Sequence, residues 1–241
     1  MRYAVITGVT KGIGRAIAEK FLEEGFFVIG NFAKDDIAAA EFLKANQIYK
    51  ERIQVIKQEL CSYKTACRFA EQIKNIIPKI DILILNSATT DRTAFGSITE
   101  EGWTHVINVN LNAPFFLIQE LRDCITENTG RIIMIGSIMG KYPHGCSISY
   151  GVSKAALHEL APYLVKYFSP KGITVNAIMP GFVNTPWQTA KGADQRRQIE
   201  NKTALNRFAQ PEEIASFCMS IIENQYINGS VLQIDGGYCY E

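Results

Sequence analysis

The chain has 241 residues, 47% of them hydrophobic, a size and composition that an α/β fold fills around a single core. Lysine and arginine number 25 against 24 aspartates and glutamates, so the net charge of +1 offers neither a basic field for nucleic acid nor an acidic tail, and small-molecule chemistry fits better. No apolar run is long enough to span a bilayer, and Met1-Arg2 leads directly into a strand rather than a signal peptide, so a cytoplasmic protein with no membrane association is expected.

Arg2 to Thr7 reads as a short strand, followed at once by Gly8-Val-Thr-Lys11-Gly12-Ile13-Gly14 and then by the amphipathic run Ile17, Phe21, Leu22. In the order strand, glycine turn, helix, the glycines let the backbone approach a pyrophosphate closely. The helix N-terminus presents free N–H groups and a positive dipole end to it. Phe26 to Asn31 reads as the second strand, whose end meets an adenosine ribose; an acidic residue there selects NAD and a basic one NADP. Lys34 and Lys11 lie nearby, each able to contact a 2′-phosphate. A helix is predicted over about 35–46 and a strand over Arg52 to Lys57, before Glu59-Leu60-Cys61-Ser62. Ile80 to Leu85 makes the fourth strand, running into Leu85-Asn86-Ser87-Ala88, and Trp103 to Asn112 reads as a helix containing Asn110.

Arg131 to Ile135 is an apolar run of the kind buried in a parallel sheet, which puts the Ser137 hydroxyl near a strand's carboxyl end. The next helix, about Ser149 to Phe168, places Tyr150 and Lys154 one turn apart on one face, about 5–6 Å between Cβ atoms. At roughly 6 Å an ammonium favours phenolate by about 3 kcal/mol, or about two pKa units, within reach of proton transfer near neutrality. Ser137 can hydrogen-bond the same substrate oxygen. Pro162 lies inside this helix and predicts a kink.

Ile173 to Ile178 is another buried strand, followed by Pro180-Gly181-Phe182-Val183-Asn184-Thr185. The polar stretch after it, about 184–206 with Gly192 inside, has the composition of a mobile lid over a substrate. A last helix starts at Pro211-Glu212-Glu213, and Val231 to Ile234 with Asp235-Gly236-Gly237 forms the last strand and turn. Six scattered cysteines (Cys61, Cys67, Cys124, Cys146, Cys218, Cys239) contain no CxxC pair and read as free thiols. His105, His144 and His158 have no metal-ligand spacing, so no metal is expected, and the neighbours His144 and Cys146 read as a surface loop. Alternating strands and helices throughout predict a single-domain doubly wound parallel sheet, Rossmann-type, over residues 1–241.

A Tyr-x-x-x-Lys with a serine thirteen residues before the tyrosine, behind an N-terminal TGxxxGIG, resembles the short-chain dehydrogenase/reductase family over the whole chain. The resemblance implies that Tyr150 is the general acid/base, that Lys154 lowers its pKa and holds the nicotinamide ribose, and that Ser137 orients the carbonyl. Asn110 then matches a fourth catalytic residue, which holds a water in a relay from the lysine to solvent. The family's acidic NAD-selecting position falls at Phe32, which carries no carboxylate, so NADP(H) is expected over NAD(H). Glu59, with Leu60, stands where an aspartate bonds the adenine amine. Asn86 is what remains of the family's NNAG, with Ala88 in place of its glycine. The element from Pro180 and Gly181 folds over the nicotinamide, with Val183 at its carboxamide and Thr185 at the phosphates. The active-site helix is commonly a subunit interface, which implies a homo-oligomer, dimer or tetramer.

Closest in pattern are the 3-oxoacyl-acyl-carrier-protein reductases of fatty acid biosynthesis, through DQRRQ in the lid, Arg207-Phe-Ala-Gln-Pro-Glu-Glu213 and Asp235-Gly-Gly237. Those enzymes dock an acidic acyl carrier protein with basic residues at the active-site mouth, where Lys171 is the candidate, although Asp123 to Gly130 lacks the basic residue expected before Arg131. Two further readings stay open: a dehydrogenase of a free alcohol or ketone such as a hydroxysteroid or sugar derivative, and a non-catalytic dinucleotide-binding protein.

Overall fold

Short strands that are apolar on both faces need helices on both sides, and the chain folds accordingly. The computed structural model describes residues 1–143, 147–189 and 191–240, apart from the side chain of Cys239; His144 and Cys146 therefore lie outside the described residues. The strands are β1 (Tyr3–Thr7), β2 (Phe27–Phe32), β3 (Ile53–Lys57), β4 (Ile82–Leu85), β5 (Arg131–Ile135), β6 (Thr174–Pro180) and β7 (Val231–Ile234). They pair in the order β3-β2-β1-β4-β5-β6-β7, every pair parallel. The expected doubly wound parallel sheet is present. Its order reverses between β1 and β4, and at such a switch point the loops leaving the carboxyl ends part to open a crevice.

The helices are α1 (Gly12–Glu23), α2 (Asp36–Ala45), α3 (Tyr63–Ile76), α4 (Glu100–Ile107), α5 (Ala113–Leu121), α6 (Ile148–Phe168), α7 (Ala193–Asn201) and α8 (Pro211–Glu223). α3, α5 and α7 are additions to the helices read from sequence. Side chains alternate between two cores: in β5, Ile132 and Met134 face α3, α5 and α6, whereas Ile133 and Ile135 face α1 and α8. Phe69, Leu117 and Phe168 fill the first layer, Phe21, Ile17 and Ile221 the second, each contributing about 1.5–3 kcal/mol by leaving water.

One segment departs from the sequence reading. The helix expected over Trp103 to Asn112 divides: α4 ends at Ile107, Asn108–Asn112 form a π-helical turn, and the N–H of Ala113 bonds the carbonyl of Asn108. Such turns concentrate at functional sites. α6 runs from Ile148 to Phe168 with the exposed Pro162 inside it, where the missing donor deprives only one carbonyl.

Candidate active site

β5 ends at the crevice, and α6 lies against that end with three side chains spaced four residues apart. Tyr150 and Ser137 line the crevice together, with the serine hydroxyl near enough to lower the phenol pKa. Lys154 donates from Nζ to the Ile135 carbonyl at 2.7 Å, and Nε2 of His158 accepts the Ser137 N–H at 3.2 Å. Behind them the π-helical turn aims the fully buried Asn110 inward. Its Oδ1 accepts the Thr89 N–H at 2.8 Å, and its Nδ2 donates to the Thr89 carbonyl at 2.9 Å and to Oγ of Ser153 at 3.0 Å. Ser153 in turn donates to the Tyr150 carbonyl at 2.7 Å. Asn110 thus ties the loop after β4 to the first turn of α6.

Burial governs the electrostatics here. Lys154 is 2% exposed, and desolvation lowers its pKa from 10.5 to about 7. Burial raises the Tyr150 phenol above its ordinary value, against the smaller lowering effect of the nearby Ser137 hydroxyl. The expected lowering of the phenol by Lys154 is not met in the protein alone. The ammonium is penalised by the same dry surroundings, and its Nζ is turned to the Ile135 carbonyl, 5.8 Å from the tyrosine ring centre.

The second arm of the site comes from β1 and β2. Gly8 has φ of +74°, and a Cβ on Gly14 would lie 2.1 Å from the Gly8 carbonyl oxygen and 2.5 Å from Nδ2 of Asn86. Asn86 Nδ2 donates to the Thr7 carbonyl at 2.9 Å, and Asn31 accepts the Gly8 N–H at 3.1 Å while donating to the Gln58 carbonyl at 2.7 Å. Both asparagines therefore hold the glycine turn in shape. α1 begins at Gly12 with no side-chain cap, so its first N–H groups remain available to an anion.

A single cavity of about 860 Å³ joins the two arms. Of the residues singled out from sequence, Gly8, Lys11, Gly12, Ile13, Asn31, Lys34, Glu59, Leu60, Asn86, Ser137, Tyr150, Lys154, Pro180, Gly181, Val183 and Thr185 line it. Gly14 and Asn110 stand behind the wall, supporting Gly8 and Thr89. Lys11 pairs with Asp35, and Lys34 pairs with Glu59 at 3.2 Å.

A family model described as enoyl-(acyl carrier protein) reductase matches residues 8–239. The chain is 30% identical over 239 residues to the 3-oxoacyl-[acyl-carrier-protein] reductase FabG of Aquifex aeolicus, covering 98% of this chain and 96% of that one. It is 32% identical to the acetoacetyl-CoA reductase of Allochromatium vinosum, with 98% of both covered. The structure of the Pseudomonas aeruginosa RhlG/NADP active-site complex superposes with a TM-score of 0.91 at 32% identity, covering 98% of this chain and 96% of that one.

The chain belongs to the short-chain dehydrogenase/reductase family.

As a short-chain dehydrogenase/reductase it is an oxidoreductase. Its departure from NNAG is accommodated: Ser87 and Ala88 both line the cavity, and the Ser87 N–H joins that of Asn86 on Oγ1 of Thr7, each at 2.9 Å. In this oxidoreductase Lys171 is not at the mouth. It lies in the turn before β6, at the amino ends of the strands and away from the cavity, 3.3 Å from Asp123. The basic residues that do line the cavity on the β4 to β6 side include Arg92 and Lys202, which sequence reasoning missed because neither belongs to a motif. It also missed Trp187, whose ring centre lies 6.0 Å from that of Tyr150, and His158 and Ser153, whose partners are far along the chain.

Proposed function

We propose that this oxidoreductase uses NADPH to reduce the ketone of a 3-oxoacyl thioester to a secondary alcohol, with the acyl group carried on acyl carrier protein. The observation that carries the reading is Tyr150, one turn from Lys154, lining the same cavity as Ser137 and the glycine turn. The residues fit a dinucleotide: a Cβ would fill the cradle at Gly14, and the α1 N-terminus lacks a side-chain cap. When bound, NADPH supplies a hydride for the carbonyl carbon.

Tyr150 holds the proton that passes to the carbonyl oxygen: a phenol is protonated at neutral pH at its ordinary pKa, and burial shifts it further that way. Ser137 hydrogen-bonds that same oxygen. Lys154 holds the nicotinamide ribose and feeds protons to the phenol, with Asn110 supporting the relay to solvent. Gly8, Gly12, Ile13 and Thr185 hold the phosphates, Gly14, Asn31 and Asn86 shape the turn beneath them, and Pro180, Gly181 and Val183 cover the nicotinamide. Glu59 and Leu60 form the adenine end. Lys11 and Lys34 receive the 2′-phosphate, and the absence of a carboxylate at Phe32 supports NADP(H) over NAD(H).

A thioester carrying a phosphate is supported by Arg92 and Lys202, which line the cavity with no carboxylate partner among the described residues. The names of the relatives, which act on acyl carrier protein and coenzyme A thioesters, point the same way. Residues 184–206 serve as the lid, within one catalytic domain. Exposed Val152, Tyr163 and Tyr167 along α6 support a homo-oligomer, which light scattering would measure. A free ketone is the second reading, favoured by the position of Lys171 away from the mouth. NADPH oxidation with acetoacetyl groups on carrier protein, on coenzyme A and on a neutral short thiol, beside free cyclic ketones, tests the two. Turnover of the charged thioesters supports the first reading, turnover of free ketones alone supports the second, and binding without any turnover rejects both.

A further inference from the structure

Two of the three α6 side chains that meet the end of β5 belong to the proposed chemistry; His158 does not. Its ring is 5% exposed, and the space for it depends on two glycines. A Cβ on Gly136 would lie 2.1 Å from Nε2, and one on Gly140 would lie 2.6 Å from Cε1. The Gly136 N–H still bonds β6, through the Ile178 carbonyl at 2.7 Å, but β5 ends there. The next N–H, that of Ser137, goes to Nε2 of His158 at 3.2 Å. A backbone N–H can only donate, so Nε2 carries the lone pair and the ring proton sits on Nδ1. Burial, with a smaller contribution from the Lys154 charge, holds the imidazole at a pKa of about 4 and so keeps the acceptor in place at neutrality.

We propose that His158 is a positioning residue for Ser137: its neutral Nε2 anchors the Ser137 backbone where the strand no longer does, setting the hydroxyl against that of Tyr150. The inference rests on the assignment of Ser137 and Tyr150 to the reaction. It distinguishes anchoring from simple filling of the core, because the first acts only through the Ser137 hydroxyl.

The test compares ketone reduction at saturating NADPH in the wild type, His158→Leu, His158→Gln, Ser137→Ala and the Ser137→Ala/His158→Leu double variant. His158→Leu keeps a similar volume without an acceptor and should lower kcat about ten- to hundredfold, with NADPH affinity within about twofold of wild type. His158→Gln, whose Oε1 can stand in for Nε2, should recover most of that loss. In the Ser137→Ala background His158→Leu should cost no more than about a further twofold, since its effect has no hydroxyl left to act through. Losses that multiply in the double variant, or a leucine variant as active as the glutamine one, would overturn the proposal. Should His158→Leu fail to fold, the more adaptable His158→Met replaces it, and a wild-type rate there overturns the proposal equally. Full turnover by Tyr150→Phe would instead reject the reading of the active site itself.

Discussion

Lys154 carries a stability penalty that its removal should release. The unfolded chain holds the lysine proton at the ordinary 10.5, the folded chain at about 7. Between those values the unfolded state binds more protons, so stability rises with pH across the window and the full penalty applies below it. Each unit is worth about 1.4 kcal/mol, which makes the penalty roughly 4–5 kcal/mol near neutrality. Lys154→Met removes the charge and keeps an unbranched stem, but it strips the Ile135 carbonyl of its 2.7 Å donor. That loss costs about 1–3 kcal/mol, leaving a net stabilisation of roughly 2 kcal/mol in an inactive protein. Urea unfolding without cofactor at about pH 7 and about pH 8.5 measures it: wild-type stability should rise by roughly 1–2 kcal/mol over the interval, and that of the variant should stay nearly flat. A variant less stable than wild type, with the wild-type pH slope intact, would refute the claim that the ammonium is desolvated.

Three further outcomes follow from the same geometry. Gly14→Ala puts a Cβ 2.1 Å from the Gly8 carbonyl and should weaken NADPH binding at least about hundredfold in fluorescence titration, while circular dichroism still reports the folded sheet. Asp35→Asn retains the α2 cap, where Asp35 accepts the Ala38 N–H at 2.9 Å, but releases Lys11; calorimetry should find NADPH bound several-fold tighter and NADH unchanged. Arg92→Ala and Lys202→Ala should each raise KM for coenzyme A and carrier thioesters by about five- to tenfold and leave the neutral thioester unaffected, as steady-state kinetics would record.

The strand order and five of the eight α-helices were legible because apolar runs of strand length alternate with amphipathic stretches and glycine turns. β5 and β7 fall where the pattern puts them. A period of 3.6 has no means of marking a π-helical turn, so Asn110 reads as an ordinary helical asparagine until its partners Thr89 and Ser153 are in view. The glycine turn and the Tyr150–Lys154 pair were visible because their spacing is local. The protonation states were not, since burial comes from the surrounding fold and outweighs the single charge that sequence spacing supplies. His158 escaped for the same reason, its partner Ser137 standing on a separate element, just past the end of β5. Lys171 misled although its place just before a predicted strand already put it at the amino ends, opposite the crevice.

The central claim is that the Tyr150 hydroxyl delivers the proton. Tyr150→Phe removes one oxygen from a ring otherwise held in place, and single-turnover NADPH oxidation by an acetoacetyl thioester, measured beside NADPH binding, isolates its role. The account predicts a rate lower by at least about a thousandfold with affinity for NADPH within about twofold of wild type. A rate close to that of the wild type would contradict it.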